Sequence, residues 1–312
     1  MLNQVNYPLS KIQQYFKYTI FTVNGYGNQG RAIALNLKDN GLNVLIGSRH
    51  GNSYNQALKD GFIPNINLVS IEEATSKGDI IMNLLSNLGQ KQTWHNIIPY
   101  LTKDKTLYFS NGFNIIYKDQ TKIIPPSNID VIMVSPKCSS KTLRSSFINK
   151  NIINSNIAVY QDYSGFAEQN AKYVGYAIGS KNLYKTTFEN EVYNYLVKER
   201  YILMSAFHSL FLTQYDILQK HEYPQIAFNK SIEKTKHNLI QLIINNQNMI
   251  DERDENDLYQ QFERILKPII NELYDDLYNE IKNNKIYKQN LNIDYLQKLN
   301  EDLEQIIKFK NQ

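Results

Sequence analysis

Residues 18–41 read YTIFTVNGYGNQGRAIALNLKDNG. A short β-prone run ends in a glycine-rich turn, and Ile33, Ala34 and Leu37 then recur at helical spacing until Asn40-Gly41 stops the helix. NVLIGSR (43–49) follows as an apolar run of strand length, and YNQALKDGF is helical up to Gly61. The unit is strand–helix–strand. In that setting Gly25-Tyr26-Gly27-Asn28-Gln29-Gly30 has the GxGxxG spacing of a dinucleotide-binding turn. The first glycine permits the tight turn, the second lets backbone approach a pyrophosphate, and the third lets helix and strand pack closely.

Outward from this unit, DIIMNLL (79–85), TLYFSNGF (106–113), DVIMVSP (130–136) and INSNIAVYQD (153–162) continue as short apolar runs between helix-compatible segments. The expected fold is an α/β domain, a Rossmann-type doubly wound parallel sheet, followed by an all-helical C-terminal domain. The expected boundaries are an N-terminal arm at 1–17, a nucleotide-binding domain at 18–163, a helical domain at 164–250 and C-terminal helices at 251–312. In the last segment Leu258, Phe262, Ile265, Ile269, Leu273, Leu277 and Ile281 keep a three-to-four spacing that Pro268 should kink, and Leu296, Leu299, Leu303 and Ile306 share one face.

Composition narrows the class. A chain of 312 residues suits two domains, and 42% hydrophobic with 21% charged residues is a globular balance. No apolar stretch is long enough to span a bilayer. The net charge of +4 arises from 34 basic and 30 acidic residues spread along the chain, so no nucleic-acid partner is expected. A single cysteine, Cys138, makes no internal disulfide, and five scattered histidines supply no zinc cluster. The first 38 residues contain no acid, which suits either a plain arm or an organelle-targeting segment. His95 and His208 sit in apolar sequence and are expected as core residues.

Where an NAD site would place an acid after the second strand, this chain has Ser48, Arg49, His50 and Ser53. No carboxylate there repels a 2′-phosphate, and a guanidinium beside hydroxyls would grip one. NADP(H) is therefore expected over NAD(H), held by Gly25–Gly30, Arg49 and Ser53.

The turn and NVLIGSR, together with NGFNI (111–115), IIPPSNIDVIMVSPK (123–137), AVYQDYSG (158–165) and TTF (186–188), resemble the ketol-acid reductoisomerase family in order and spacing. The resemblance covers residues 18–245. It implies an alkyl shift on a 2-acetohydroxy acid promoted by two Mg²⁺ ions, followed by hydride delivery from NADPH. It also implies paired carboxylates at i and i+4 on two helices. At the first pair this chain has Tyr195 and Glu199, and a phenol titrating near 10 does not replace a bridging carboxylate. At the second it has Asn229 and Glu233, or Ser231 and Thr235 in a shifted register. Glu199 and Glu233 remain as metal candidates, and a two-Mg²⁺ centre is not expected.

Asn111 stands where the resemblance implies a catalytic histidine. Lys137 matches the family's active-site lysine, as a cofactor contact or as an ordinary surface lysine. A serine-rich substrate loop is replaced by NNQNMIDERDENDLYQQ (245–261). From these departures the chain is expected to have lost catalysis and to serve as an NADP(H)-binding accessory subunit of a mitochondrial assembly. Its partners would dock on the 251–312 helices, and a homodimer is also open. An active NADPH-dependent reductoisomerase, or a metal-independent NADPH 2-keto acid reductase, is the alternative.

Overall fold

A computed structural model describes residues 8–196 and the isolated positions 213, 215–218, 220, 226, 264 and 268. The glycine-rich turn sits inside a repeated strand–helix alternation. In chain order the elements are α1 (Leu9–Tyr15), β1 (Ile20–Asn24), α2 (Asn28–Asp39), β2 (Asn43–Gly47), α3 (Asn52–Lys59), β3 (Leu68–Val69), α4 (Ile71–Lys77) and β4 (Ile80–Asn83). They continue with α5 (Asn87–Ile97), β5 (Thr106–Phe109), α6 (Phe113–Ile116), α7 (Lys118–Thr121), β6 (Asp130–Pro136), α8 (Ser140–Ile148), β7 (Asn154–Gln161), α9 (Ala167–Ala177), β8 (Asn182–Lys185) and α10 (Phe188–Asn194).

The strands form one sheet in the order β3-β2-β1-β4-β5-β6-β7-β8. Every pairing is parallel except β6 with β7. The central strands bury both faces, and their alternation divides the core. Val131 and Met133 of β6 join Leu107, Phe109, Trp94 and Ile97 on one side; Ile132 and Val134 join Tyr108, Leu37 and Val174 on the other. Helix starts follow local chemistry: Ser70, Ser86 and Ser139 accept from Glu73 N, Gly89 N and Thr142 N. At the other end of α4, Lys105 Nζ donates to the carbonyls of Thr75, Ser76 and Gly78 at 2.9, 2.9 and 2.6 Å.

The order places the reversal of winding between β1 and β4. Chain connections diverge there, leaving a crevice above the carboxyl ends of the strands.

Three expectations change. The sheet does not end near residue 163. Although β7 reverses direction, β8 pairs with it from Asn154 to Ile157, and α9 closes the core with Ala167, Ala171, Val174 and Ala177. The first compact unit runs to Val192, and the second is Tyr193–Gln312. The 1–17 arm contains α1, because Ile12 and Phe16 give it one apolar edge; Tyr15 stacks on Tyr173 at 4.1 Å and bonds Asn170. His95 is exposed, since Trp94 and Ile97 take the inward face of α5. The expected helices of 197–250 and 251–312, including Pro268's kink and the partner-docking stripes, lie outside the continuous described region, as does His208. Among the described residues no helix is long and apolar enough to cross a membrane.

Candidate functional site

Geometry assigns each glycine of the turn a separate reason. Gly25 has φ +97°, and a side chain there would lie 3.0 Å from Leu85 N. Its N–H donates to Gly47 O at 2.9 Å, tying the turn to β2. At Gly30 a Cβ would come within 2.0 Å of Gly25 O, so only glycine lets α2 lie against the turn. Around Gly27 a Cβ would meet nothing within 4 Å. That space is on the crevice side. Gly27 is also the N-cap of α2 and puts no side-chain bond on the first helical amides, which leaves them for an anion.

A cavity of about 320 Å³ opens over this turn, within the size range of small-molecule sites. It is lined by Gly25, Tyr26, Gly27, Ser48, Arg49, His50, Gly51, Asn52 and Ser53, closed on the far side by Ile71 and Leu84–Ser86. The structure thus gathers Gly25, Tyr26, Gly27, Arg49 and Ser53 around one volume whose lining contains no carboxylate. Asn28, Gln29 and Gly30 form the first turn of α2 beside it. The Tyr26 side chain is directed away. Its ring is buried against Phe62, and its hydroxyl donates to Asp60 Oδ2 at 2.9 Å, so its contribution to the cavity is backbone. These features fit a dinucleotide: anion-binding amides, an adjacent cation and no acid.

A second polar cluster lies at the carboxyl ends of β5 and β6. Glu191 of α10, buried at 7% side-chain exposure, pairs with Lys137 Nζ and accepts from Ser135 Oγ at 2.8 Å and Asn156 Nδ2 at 2.7 Å. Burial alone would raise its pKa, but the bonds from Lys137, Asn156 and Ser135 outweigh burial and hold the carboxyl below its ordinary 4.5. Lys137 is therefore anchored rather than a freely solvated lysine. Asn111 accepts from Phe113 N at 2.8 Å, shaping the loop before α6. The next residue, Gly112, packs so closely on α10 that a Cβ would meet Phe188 at 2.6 Å and Val192 at 3.3 Å. Asn111's loop and Lys137's segment thus both abut α10.

Tyr195 follows α10 and is half-buried. Glu199, Asn229 and Glu233 lie outside the described residues, as do Ser231 and Thr235. Among the described residues no group of three or more His, Cys, Asp or Glu could hold a metal. Glu191 is committed to Lys137, Ser135 and Asn156. Cys138 is half-buried, and burial raises its pKa, which makes it a poor nucleophile.

Two site residues escape the motif reading. Glu191 lies one helical turn before Tyr195, in a helix read only for its metal positions. Asp60 closes a helix whose end was read from Gly61 alone.

Residues 16–183 match the family model "Acetohydroxy acid isomeroreductase, NADPH-binding domain". Two relatives are named "Ketol-acid reductoisomerase, mitochondrial". The one from Neurospora crassa is 41% identical over 97% of this chain and 78% of its own length; the one from Saccharomyces cerevisiae is 42% identical over 97% and 79%. A Desulfosudis oleivorans relative, 41% identical over 96% of this chain and 88% of its own, is named "Ketol-acid reductoisomerase (NAD(+))". The solved structure of an NADH-preferring ketol-acid reductoisomerase from an uncultured archean superposes with a TM-score of 0.79 at 27% identity, covering 93% of this chain and 92% of the other.

These matches overturn the expectation of a catalytically degenerate accessory subunit. Relatives alike over nearly the whole of this chain carry the name of the working enzyme, and the altered positions Asn111 and Tyr195 do not by themselves show a loss of catalysis. Similarity spread along 97% of the chain outweighs a few altered positions, several of which lie outside the described residues.

Proposed function

The chain belongs to the ketol-acid reductoisomerase family, and from that premise we propose that it is an NADPH-dependent ketol-acid reductoisomerase acting on a 2-acetohydroxy acid. The observation that carries this reading is the extent of the likeness, 41–42% identity over 97% of the chain rather than at the glycine-rich turn alone.

When bound, the nicotinamide supplies a hydride. The chain's own residues position it: the Gly25–Gly27 backbone and the α2 amides take the pyrophosphate, while Arg49 and Ser53 take the 2′-phosphate. Arg49 forms no ion pair among the described residues, and the acid-free lining favours NADPH over NADH. Lys137 Nζ, half-exposed and anchored by ionised Glu191, holds the proton that a substrate alkoxide takes after hydride transfer. Asn111 shapes the loop before α6 that packs on α10. Glu199 and Glu233 are the carboxylates that would hold a divalent cation.

A specific observation favours a second reading, a metal-independent NADPH 2-keto acid reductase. Tyr195 stands where the resemblance implies a carboxylate, and Mg²⁺ prefers hard oxygen anions. One experiment separates the two. The purified full chain is incubated with NADPH and a 2-acetohydroxy acid, with Mg²⁺ or with EDTA, and loss of reduced nicotinamide is followed. Mg²⁺-dependent turnover supports the reductoisomerase. Turnover of a 2-keto acid that survives EDTA supports the reductase, and no turnover of either substrate sinks both. The mitochondrial names of the fungal relatives, with the acid-poor first 38 residues, support a mitochondrial location under this reading; a fluorescent fusion found only in the cytosol would refute that.

A further inference from the structure

Asp60 lies outside the cavity, yet four groups converge on its carboxylate. Oδ2 accepts from Tyr26 Oη at 2.9 Å and Arg31 Nε at 2.6 Å, and Oδ1 accepts from Arg31 Nη2 at 2.9 Å and Gln56 Nε2 at 3.2 Å. They come from the glycine-rich turn, α2 and α3, and the carboxylate is 11% exposed. Lys38 Nζ holds the backbone of the same segment through Asp60 O and Gly61 O.

Tyr26 is the middle residue of the turn, flanked by Gly25 in a left-handed conformation and by Gly27 with open space around it. Two flanking glycines make that backbone readily deformable. Besides the Gly25 N–H bond to Gly47 O, what restrains it is the one side chain it carries. The Tyr26 ring packs edge-on against Phe62 at 5.5 Å and its hydroxyl ends on Asp60.

We propose that Asp60 is a positioning residue for cofactor binding: through Tyr26 it fixes the turn that receives the pyrophosphate, and through Arg31 its own charge is neutralised beside an anionic ligand. Arg31 thus serves two ends. Its bidentate pairing locks the carboxylate's orientation, and its charge keeps Asp60 from repelling the phosphates. The inference rests on the NADP(H) reading above and extends it to residues that touch no ligand.

The test compares two ligands by calorimetry on the full-length protein. NADPH uses both the turn and the Arg49 loop; adenosine 2′-monophosphate has no pyrophosphate and engages the Arg49 loop alone. Tyr26→Phe keeps the ring on Phe62 and removes only the hydroxyl; Asp60→Ala removes the anchor, and Asp60→Asn restores an acceptor for Tyr26. Tyr26→Phe and Asp60→Ala are expected to weaken NADPH by about tenfold, the scale of one buried hydrogen bond. Adenosine 2′-monophosphate should stay within about twofold, and Asp60→Asn should recover part of the loss. In steady state the KM for NADPH rises while kcat holds. Equal weakening of both ligands would show a merely structural role and overturn the proposal, as would undiminished NADPH binding by Tyr26→Phe. A wild-type chain that binds neither ligand would bring down the cofactor reading itself, and this inference with it.

Discussion

Replacing Gly27 by alanine separates the approach of a ligand from the packing of the protein. Gly27 has φ −76° and ψ −169°, a conformation any residue adopts, and a Cβ there meets nothing within 4 Å. The free protein should keep its stability, or gain about 0.4–1 kcal/mol from a stiffer unfolded chain. The added methyl nevertheless occupies the space through which a pyrophosphate reaches the turn. Losing one charge-assisted backbone hydrogen bond costs about 1.5–3 kcal/mol, or about 10- to 100-fold in NADPH affinity. Gly30→Ala is the contrast: its Cβ would stand 2.0 Å from Gly25 O and 3.4 Å from Val23 Cγ1. A backbone oxygen cannot swing aside as a side chain does, so this variant should lose about 1–3 kcal/mol of stability and bind poorly because its turn has moved. Thermal melts with calorimetric NADPH titrations read both quantities. The reasoning fails if Gly27→Ala melts as low as Gly30→Ala, or if it binds NADPH within about twofold of wild type.

Lys105→Met keeps the apolar stem but removes three donors from the end of α4. A loss of about 1.5–3 kcal/mol, or about 4–10 °C in melting temperature, is expected, and a shift under about 1 °C would count against that capping role. Glu191 supplies a pH test. Its carboxyl is held below 4.5, so its stabilisation is fully present above the ordinary carboxylate pKa and is lost as pH falls through the depressed value. The melting-temperature gap between wild type and Glu191→Gln should be constant above about pH 5 and narrow below about pH 4.5; a gap that widens on acidification would contradict the ion-pair assignment.

The sequence reading succeeded where pattern and chemistry coincide. Ile20–Asn24, the turn and Asn28–Asp39 combine period, punctuation and a spacing with one physical purpose. It missed β3, a strand of two residues, and β8, where NLYK buries little beyond Leu183 at the sheet's end. Strand direction carries no periodic signature, so nothing in INSNIAVYQD foretold that β7 runs backwards. The site shows the same division. Arg49 and Ser53 are legible because they follow a recognisable strand. Asp60 and Glu191 act through partners distant in sequence, Tyr26 and Arg31 for one, Ser135, Lys137 and Asn156 for the other. Which acid a tyrosine or lysine will meet is decided by the sheet that brings them together.

The central place of β1 also has a consequence for the newborn chain. One of the two neighbours of this strand is β4, which leaves the ribosome roughly fifty-five residues later. At about 5–20 residues per second that interval is on the order of 3–10 s. Throughout it, a strand with four fully covered residues in the finished protein has one hydrogen-bonding edge open. Such an edge invites pairing with other chains. The interval before β4 emerges is therefore a stage at which this protein is exposed to aggregation, and a chaperone that shields the Ile20–Asn24 edge during it would raise the yield of folded protein.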